Sequence, residues 1–205
     1  MKSYCLILMF FLWSLSSVAQ IHHFEAAKSF TQYFYKNSLG ENTSRFTPVN
    51  GNKFGFFLKT NKERLFYGLN YQEQNTRGGN GAQIYEWETR YIGPQLKWLL
   101  PSKDKLQISL SMGTMFLLQG TQYIDGTQIQ LKKNKEFNGL WIHPAVALNY
   151  SIIELTGLAI KVNYQINPSF KLGDQGREKL YFLSHHFGVQ FSLINPTKEL
   201  EINEE

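Results

Sequence analysis

The chain is predicted to fold as an eight-stranded antiparallel up-and-down β-barrel that spans a membrane. Three observations carry that prediction: a period-two alternation through the C-terminal half, a polar face on those strands built from small neutral side chains, and an export signal at the start. From Leu158 the even positions read Leu158, Ile160, Val162, Tyr164 and Ile166, against Ala159, Lys161, Asn163 and Gln165. From Tyr181 the odd positions read Tyr181, Leu183, His185, Phe187, Val189, Phe191 and Leu193, against Ser184, His186, Gly188, Gln190 and Ser192. Strict alternation places the two sets on opposite faces of a strand.

The composition of the polar face decides which way the barrel is turned. A soluble, lipocalin-like barrel keeps its apolar side chains inside, and a membrane barrel inverts this. A water-facing wall normally carries many Lys, Arg, Glu and Asp. Here the remaining polar positions of the last four strands are Gln107, Ser109, Ser111 and Gly113, then Ala145, Ala147, Asn149 and Ser151, so that only Lys161 is charged. The opposite faces carry Leu106, Ile108, Leu110, Met112 and Phe116, then Leu140, Ile142, Val146, Leu148 and Tyr150, which suit lipid.

Residues 1–19 read as a cleavable signal peptide. Lys2 supplies the positive end, Leu6 to Leu15 the apolar run, and Ser17-Val18-Ala19 a small-x-small site before Gln20. The apolar run is shorter than the ~18 residues that a spanning helix needs. Cys5 is the only cysteine and does not stand at the cleavage point, so lipidation is not expected. The mature chain is then expected to lack disulfides, thiol nucleophiles and Cys-ligated metals. Residues 20–194 form the predicted barrel domain, and 195–205 an acidic periplasmic tail.

A mean hydropathy of −0.32 is compatible with this, because alternation averages apolar and polar residues. Aromatic residues make up 15% of the chain, which demands a large core or a lipid interface. The net charge of +5 is dispersed, with no basic stripe interleaved with aromatics, so nucleic acid is not expected as a partner.

Strands are predicted at 28–37, 53–60, 64–75, 85–100, 105–121, 137–153, 158–169 and 180–194. The first has the weakest pattern, since neither parity is clean from Phe30 to Tyr35. Tight turns are expected at Asn61-Lys62-Glu63, Pro101-Ser102-Lys103-Asp104 and Glu154-Leu155-Thr156-Gly157. The stretches 38–52, 76–84, 122–136 and 170–179 read as long polar loops. Short turns on one rim and long loops on the other predict periplasmic termini and outward-facing loops. Outward Tyr71, Phe116, Tyr164 and Tyr181 should form one aromatic belt near the loops, and Trp98, Tyr150 and Phe191 another near the turns. Pro94 and Pro144 fall inside strands, where each removes a ladder donor, so a bulge or kink is expected at each. The fourth strand shifts phase: Tyr85 and Trp87 alternate with Glu86, Glu88 and Arg90, whereas Ile92, Pro94, Leu96 and Trp98 take the outward parity below them. Either a bulge lies near residue 91 or the upper part projects beyond the bilayer, and projection is the reading preferred.

With these features the chain resembles the small outer-membrane barrels common in Bacteroidota, the broad group that includes PorT-like proteins and barrels of the OmpX and OmpW type. Arg90-Tyr91-Ile92-Gly93-Pro94-Gln95-Leu96-Lys97 and Phe187-Gly188-Val189-Gln190-Phe191 carry the likeness. A fainter one, to TraO proteins of conjugative transposons, rests on Tyr123-Ile124-Asp125-Gly126 and Phe137-Asn138-Gly139. The resemblance implies a Gram-negative outer membrane and a monomeric barrel, with varied roles. Such barrels usually end on an aromatic residue, whereas here Asn195 to Glu205 follow the last strand, making the insertion signal internal.

No catalytic, cofactor-binding or metal-binding residue is assigned, and no cofactor is expected. His185 is predicted to face outward and His186 inward, with Ser184 sharing the lumen face of His186. A hydrolase needs a hydroxyl beside the imidazole and an acid to orient it. No outward acid accompanies them, and the His-x-Ser-Asn run of lipid A deacylases of this shape is absent. His143 has the lumen neighbours Trp141 and Ala145, and His22-His23 is too isolated for a metal, which wants three or four ligands. Asn70, Gln72, Gln95, Lys97, Asn149, Lys161, Asn163, Gln165, His186 and Gln190 are predicted to fill the lumen, because eight strands enclose little more than side chains. Lys161 should find water or carbonyl partners there. Lys132, Lys133, Lys135, Lys171, Arg177 and Lys179 form a basic loop cluster that could meet lipopolysaccharide phosphates, although Glu136, Asp174 and Glu178 are interspersed. The expected partners are therefore outer-membrane lipid and lipopolysaccharide, with a protein partner possible through the long loops or the periplasmic rim. A non-enzymatic structural or interaction role leads, ahead of a lipid A or phospholipid-modifying enzyme and of a narrow pore or a secretion or conjugation component.

Overall fold

The computed structural model describes residues 21–36, 42–60, 62, 64–79, 84–102, 105–124, 127–133, 138–155, 157–172 and 179–193. The strands are β1 (Ile21–Lys36), β2 (Asn42–Lys59), β3 (Leu65–Gly79), β4 (Ile84–Leu99), β5 (Leu106–Ile124), β6 (Thr127–Gln130), β7 (Leu140–Leu155), β8 (Leu158–Lys171) and β9 (Lys179–Leu193), with a single 3₁₀ turn at Leu131–Lys133. They pair in the order β4-β3-β2-β1-β9-β8-β7-β5, and a β4–β5 ladder closes the ring. Every pairing is antiparallel. The short β6 joins only β5, opposite Thr121 to Ile124, where β7 no longer reaches. The barrel thus has eight wall strands and one hairpin extension.

Closure leaves no sheet edge, and the alternation then sorts the residues by face. Small, neutral or hydrogen-bonding side chains turn inward and are buried, among them Ser109, Ala147, Asn149, Asn163 and Gln190. Large apolar ones turn out and stay exposed, among them Leu96, Met112, Val146, Leu148, Val162 and Phe187. This is the inverted polarity of a membrane barrel. The aromatic residues expected in two belts lie on the outer wall, where Trp98, Tyr150, Phe116 and Tyr181 are all exposed. At one tight turn Gly157 adopts a φ of 89°, a left-handed conformation that glycine enters without a Cβ clash.

Several boundaries differ from expectation. β1 begins at Ile21 rather than residue 28, and its inward row His23, Glu25, Ser29, Thr31 and Tyr33 is fully buried. Much of the stretches read as long loops is strand: β2 starts at Asn42, β3 runs to Gly79, β4 starts at Ile84, and β5 and β6 take part of 122–136, while most of 170–179 lies outside the described residues. Polar residues pair in hairpins as readily as apolar ones, so the rim is lengthened by ladder rather than by loop.

Of the bulge or kink expected at Pro94 and at Pro144, no bulge occurs at either. Register is constant past both, with Pro94 opposite Leu69 and Pro144 opposite Met112. Pro144 also lies opposite Pro168, since Ile142↔Phe170 and Val146↔Ile166 keep one register across β7 and β8. The ladder pairs between those two are missing, because neither proline has an N–H to give. The wall is interrupted there without being shifted. Beside Pro94, a Cβ on Gly93 would lie 1.8 Å from the Thr114 carbonyl oxygen, so only glycine lets β4 approach β5 so closely.

β4 keeps one parity along its length. Glu86, Glu88 and Arg90 face outward in the same parity as Leu96 and Trp98, while Trp87 and Tyr91 are buried in the lumen. The irregularity near residue 91 lies in its partner: Arg90 pairs with Gln119 but Tyr91 with Leu117, so β5 carries an extra residue at Leu118. A bulge of this kind restores alignment between strands of unequal length.

The face assignment predicts unequal tolerance. Val162→Arg, on the outer wall, should lower folding stability in lipid vesicles by about 2–4 kcal/mol, whereas Ser151→Ala on the lumen face should cost about 1 kcal/mol or less. Urea titration followed by the heat-modifiable gel band measures both. Equal losses would refute the assignment.

Candidate functional site in the lumen

The lumen is filled in three tiers. Nearest the short-turn rim, Glu25 of β1 receives Lys97 of β4 on one carboxylate oxygen and Lys53 of β2 on the other at 3.5 Å. All three are at most 3% exposed. Lys53 also donates to Gln165 Oε1 on β8, and Lys97 to Gln190 Oε1 on β9 at 3.4 Å. The Lys97 ammonium lies 5.0 Å from the Phe57 ring centroid, a cation–π contact. Phe57 and Phe66 each stand 4.9 Å from His23. Lys161 donates to Gln107 Oε1 at 3.0 Å, the carbonyl partner its lumen position calls for.

The middle tier is neutral. Gln72 Nε2 donates to Ser184 Oγ at 3.1 Å and lies 3.5 Å from His186 Nε2. Ser184 meets Thr31 at 2.8 Å, and Ser169 Oγ meets His143 Nδ1 at 2.6 Å. Asn163 donates to Asn149 at 2.5 Å, and Gln165 to Asn167 at 2.7 Å.

The upper tier is aromatic. Tyr33, Trp87, Tyr91, Trp141 and Phe182 cluster with Met115, Leu117 and Leu131, all buried. Phe182 lies 4.9 Å from Trp141 and 5.2 Å from Tyr33, centroid to centroid. The Tyr33 hydroxyl donates to Gln74 Oε1 at 2.7 Å and lies 2.9 Å from Thr89, so its polar tip is satisfied within the lumen.

Every lumen-filling residue named from the sequence does face inward: Asn70, Gln72, Gln95, Lys97, Asn149, Asn163, Gln165, His186 and Gln190 are buried, and Lys161 half-buried. Sequence reasoning missed Glu25 and Lys53 as partners. The signal was present: carrying the parity of Ser29 and Thr31 back towards the signal peptide sets Glu25 on the lumen face. The histidines divide as expected, with His186 buried and His185 outward, 2.9 Å from the Tyr164 hydroxyl. Ser184 and His186 share the lumen face but are held by Gln72 between them. Lys132 and Lys133 are exposed on the 3₁₀ turn, Lys171 ends β8 and Lys179 begins β9, while Lys135 and Arg177 lie outside the described residues. Among the described residues no group of three or more His, Cys, Asp or Glu is placed to hold a metal ion.

A closed ring of eight strands, apolar without and polar within, defines the chain as a small outer-membrane-type β-barrel. Solved structures of that class are similar to it. Neisserial surface protein A matches with a TM-score of 0.55 at 12% identity, over 85% of this chain and 98% of that one. OprG from Pseudomonas aeruginosa matches at 0.44 and 9%, over 85% and 97%, and Ail of Yersinia pestis at 0.33 and 13%, over 84% and 100%. At such identities the likeness is one of fold alone. No family model and no curated protein sequence matches the chain.

Removing the shared carboxylate leaves two buried ammonium groups uncompensated. Glu25→Ala should therefore destabilise the barrel by about 3–5 kcal/mol. Adding Lys53→Met and Lys97→Met to it should restore much of the loss, read by urea unfolding of the reconstituted protein with tryptophan fluorescence. A Glu25→Ala variant as stable as the parent would refute this role.

Proposed function

We propose that the chain is a non-enzymatic outer-membrane β-barrel of a Gram-negative bacterium with a structural or interaction role at the cell envelope. The observation that carries this is the filled lumen: an ionic tier, a neutral tier and an aromatic tier stand one above another inside the ring. In this reading the short turns and both ends of the barrel face the periplasm, and the β5–β6 extension faces outside. Residues 1–19 are removed on export, and the acidic tail 195–205 remains periplasmic. Lipid and lipopolysaccharide surround a monomeric barrel. In this reading its relatives are the small Bacteroidota barrels, PorT-like or more distantly TraO-like, and a protein partner would meet its long loops or periplasmic rim.

A second reading, a lipid-modifying enzyme, has one observation in its favour, the 2.6 Å contact between Ser169 Oγ and His143 Nδ1. Both side chains are 1% exposed and turned into the lumen, away from any lipid substrate. Fold alone does not decide between the two, because activity belongs to a site and not to a barrel.

The protein is expected to resist alkaline extraction from membranes and to show no stable porin-sized conductance in planar bilayers. Intact-lipid mass spectra should be the same with and without the gene. Large reproducible conductance steps would favour a pore, and an acyl change abolished by Ser169→Ala or His143→Ala would favour the enzyme.

A further inference from the structure

The outer wall carries a hydrogen-bonded row of polar side chains that the lumen does not explain. Lys28 of β1 donates to Asn52 Oδ1 of β2 at 2.7 Å, and Asn52 Nδ2 donates to Glu73 Oε2 of β3 at 2.6 Å. Arg90 of β4 lies 3.6 Å from Glu73 Oε1 and donates to Gln119 Oε1 of β5 at 3.2 Å. The Tyr71 hydroxyl donates to the same carboxylate at 3.0 Å. The row follows the ladder, with Lys28 opposite Asn52, Glu73 opposite Arg90, and Arg90 opposite Gln119.

Its two ends lie in different surroundings. Beyond Arg90 the outward residues are polar, with Glu88, Glu86 and Arg77 exposed. Lys28 sits instead among apolar groups: Ala26 and Phe30 flank it on the same face of β1, and Phe187 lies opposite on β9. Its partner Asn52 is neutral, and among the described residues no carboxylate lies within 4.0 Å of its ammonium. The row holds two cations, Lys28 and Arg90, against one carboxylate, Glu73, so the excess positive charge is the one set deepest in the apolar wall. An unmatched Lys on the lipid face of a barrel is costly near the midplane, unless it snorkels to an anion. Towards the short-turn rim Phe24 contacts Phe54, Phe56 and Phe191, at 6.4, 4.9 and 6.4 Å between centroids, making an aromatic slope beside the cation.

We infer that this row binds one anionic lipid, its phosphate on Lys28 and its acyl chains over Phe24, Phe54 and Phe56, with Arg90 offsetting the charge of Glu73. The inference rests on the membrane reading above. Charge-assisted hydrogen bonds to phosphate supply the selectivity, and Glu73 positions both cations, Arg90 directly and Lys28 through Asn52. The apolar wall narrows on this side. Leu65, Tyr67, Leu69 and Tyr71 precede Glu73 on β3, whereas Leu158, Ile160, Val162, Tyr164, Ile166, Pro168 and Phe170 follow one another unbroken on β8. A headgroup beside β2 and β3 is thereby drawn towards the row, the local thinning that a short apolar span imposes.

The folded protein in nanodiscs of equal parts phosphatidylcholine and phosphatidylglycerol, released into a native mass spectrometer, tests this. Phosphatidylglycerol adducts should predominate, fall by about fivefold or more in Lys28→Gln and Arg90→Gln, and persist in Lys28→Arg and in Lys132→Gln on the 3₁₀ turn. Heat-modifiable mobility shows that each variant is folded. Equal retention of both lipids, or Gln variants that bind as well as the parent, would overturn the site while leaving the membrane reading intact. Failure to enter nanodiscs at all would overturn both. A dimer in phosphatidylcholine alone that Lys28→Gln dissolves would assign the row to a second copy and overturn the lipid reading.

Discussion

Two ammonium groups set side by side in an interior just wide enough for side chains repel each other and have little room for water. In this barrel one carboxylate, Glu25, receives both. From that point the polar contacts reach across the ring: Lys53 ties β2 to β8 through Gln165, and Lys97 ties β4 to β9 through Gln190. A buried ion pair is weak evidence of net stability, because apolar residues of similar volume often serve as well. Its firmer contribution is to register. A slip of one residue in β1 would carry Glu25 to the outer wall and bring Phe24 or Ala26 against the two lysines. The backbone closes the circle, and the charges fix which residues face its centre.

The strands with clean alternation, β8 and β9, were legible almost to the residue, as were the inward positions of Gln165, His186 and Gln190. Neutral small residues on one face and aromatics on the other leave few ways to arrange a strand. β1 was misread at its start because neither parity is clean from Phe30 to Tyr35, and Glu25, which continues its inward row, is a lone charge until its lysines are known. Those lysines lie on β2 and β4, and no local pattern reports a contact between strands so far apart in sequence. The prolines failed for a different reason. A missing N–H can be absorbed by a bulge or by an open place in the ladder, and choosing between them needs the facing strand. Pro168 opposite Pro144 settles it, since two missing donors remove the bonds from both sides at once.

The lumen and the outer wall speak to different questions. Inside, the tiers are tied by hydrogen bonds that hold Ser169 against His143 and Ser184 against Gln72 and Thr31, an arrangement suited to rigidity. Outside, a hydrogen-bonded polar row crosses the apolar field from Lys28 to Gln119. Chemistry that reaches beyond the chain is therefore sought on the wall and the long-loop rim, with the lumen acting as the rigid support that holds strand positions and so the spacing of groups on the surface.

The unequal height of the apolar wall also bears on posture. A cylinder with a tall greasy flank at β7–β9 and a low one at β3–β4 meets a slab of uniform thickness with a mismatch on one side. Tilting lets the two flanks share it, in a direction fixed by which strands carry the low flank. The β5–β6 hairpin stands on the rim of that cylinder, so its bearing relative to the lipid surface depends on residues far below it in the wall.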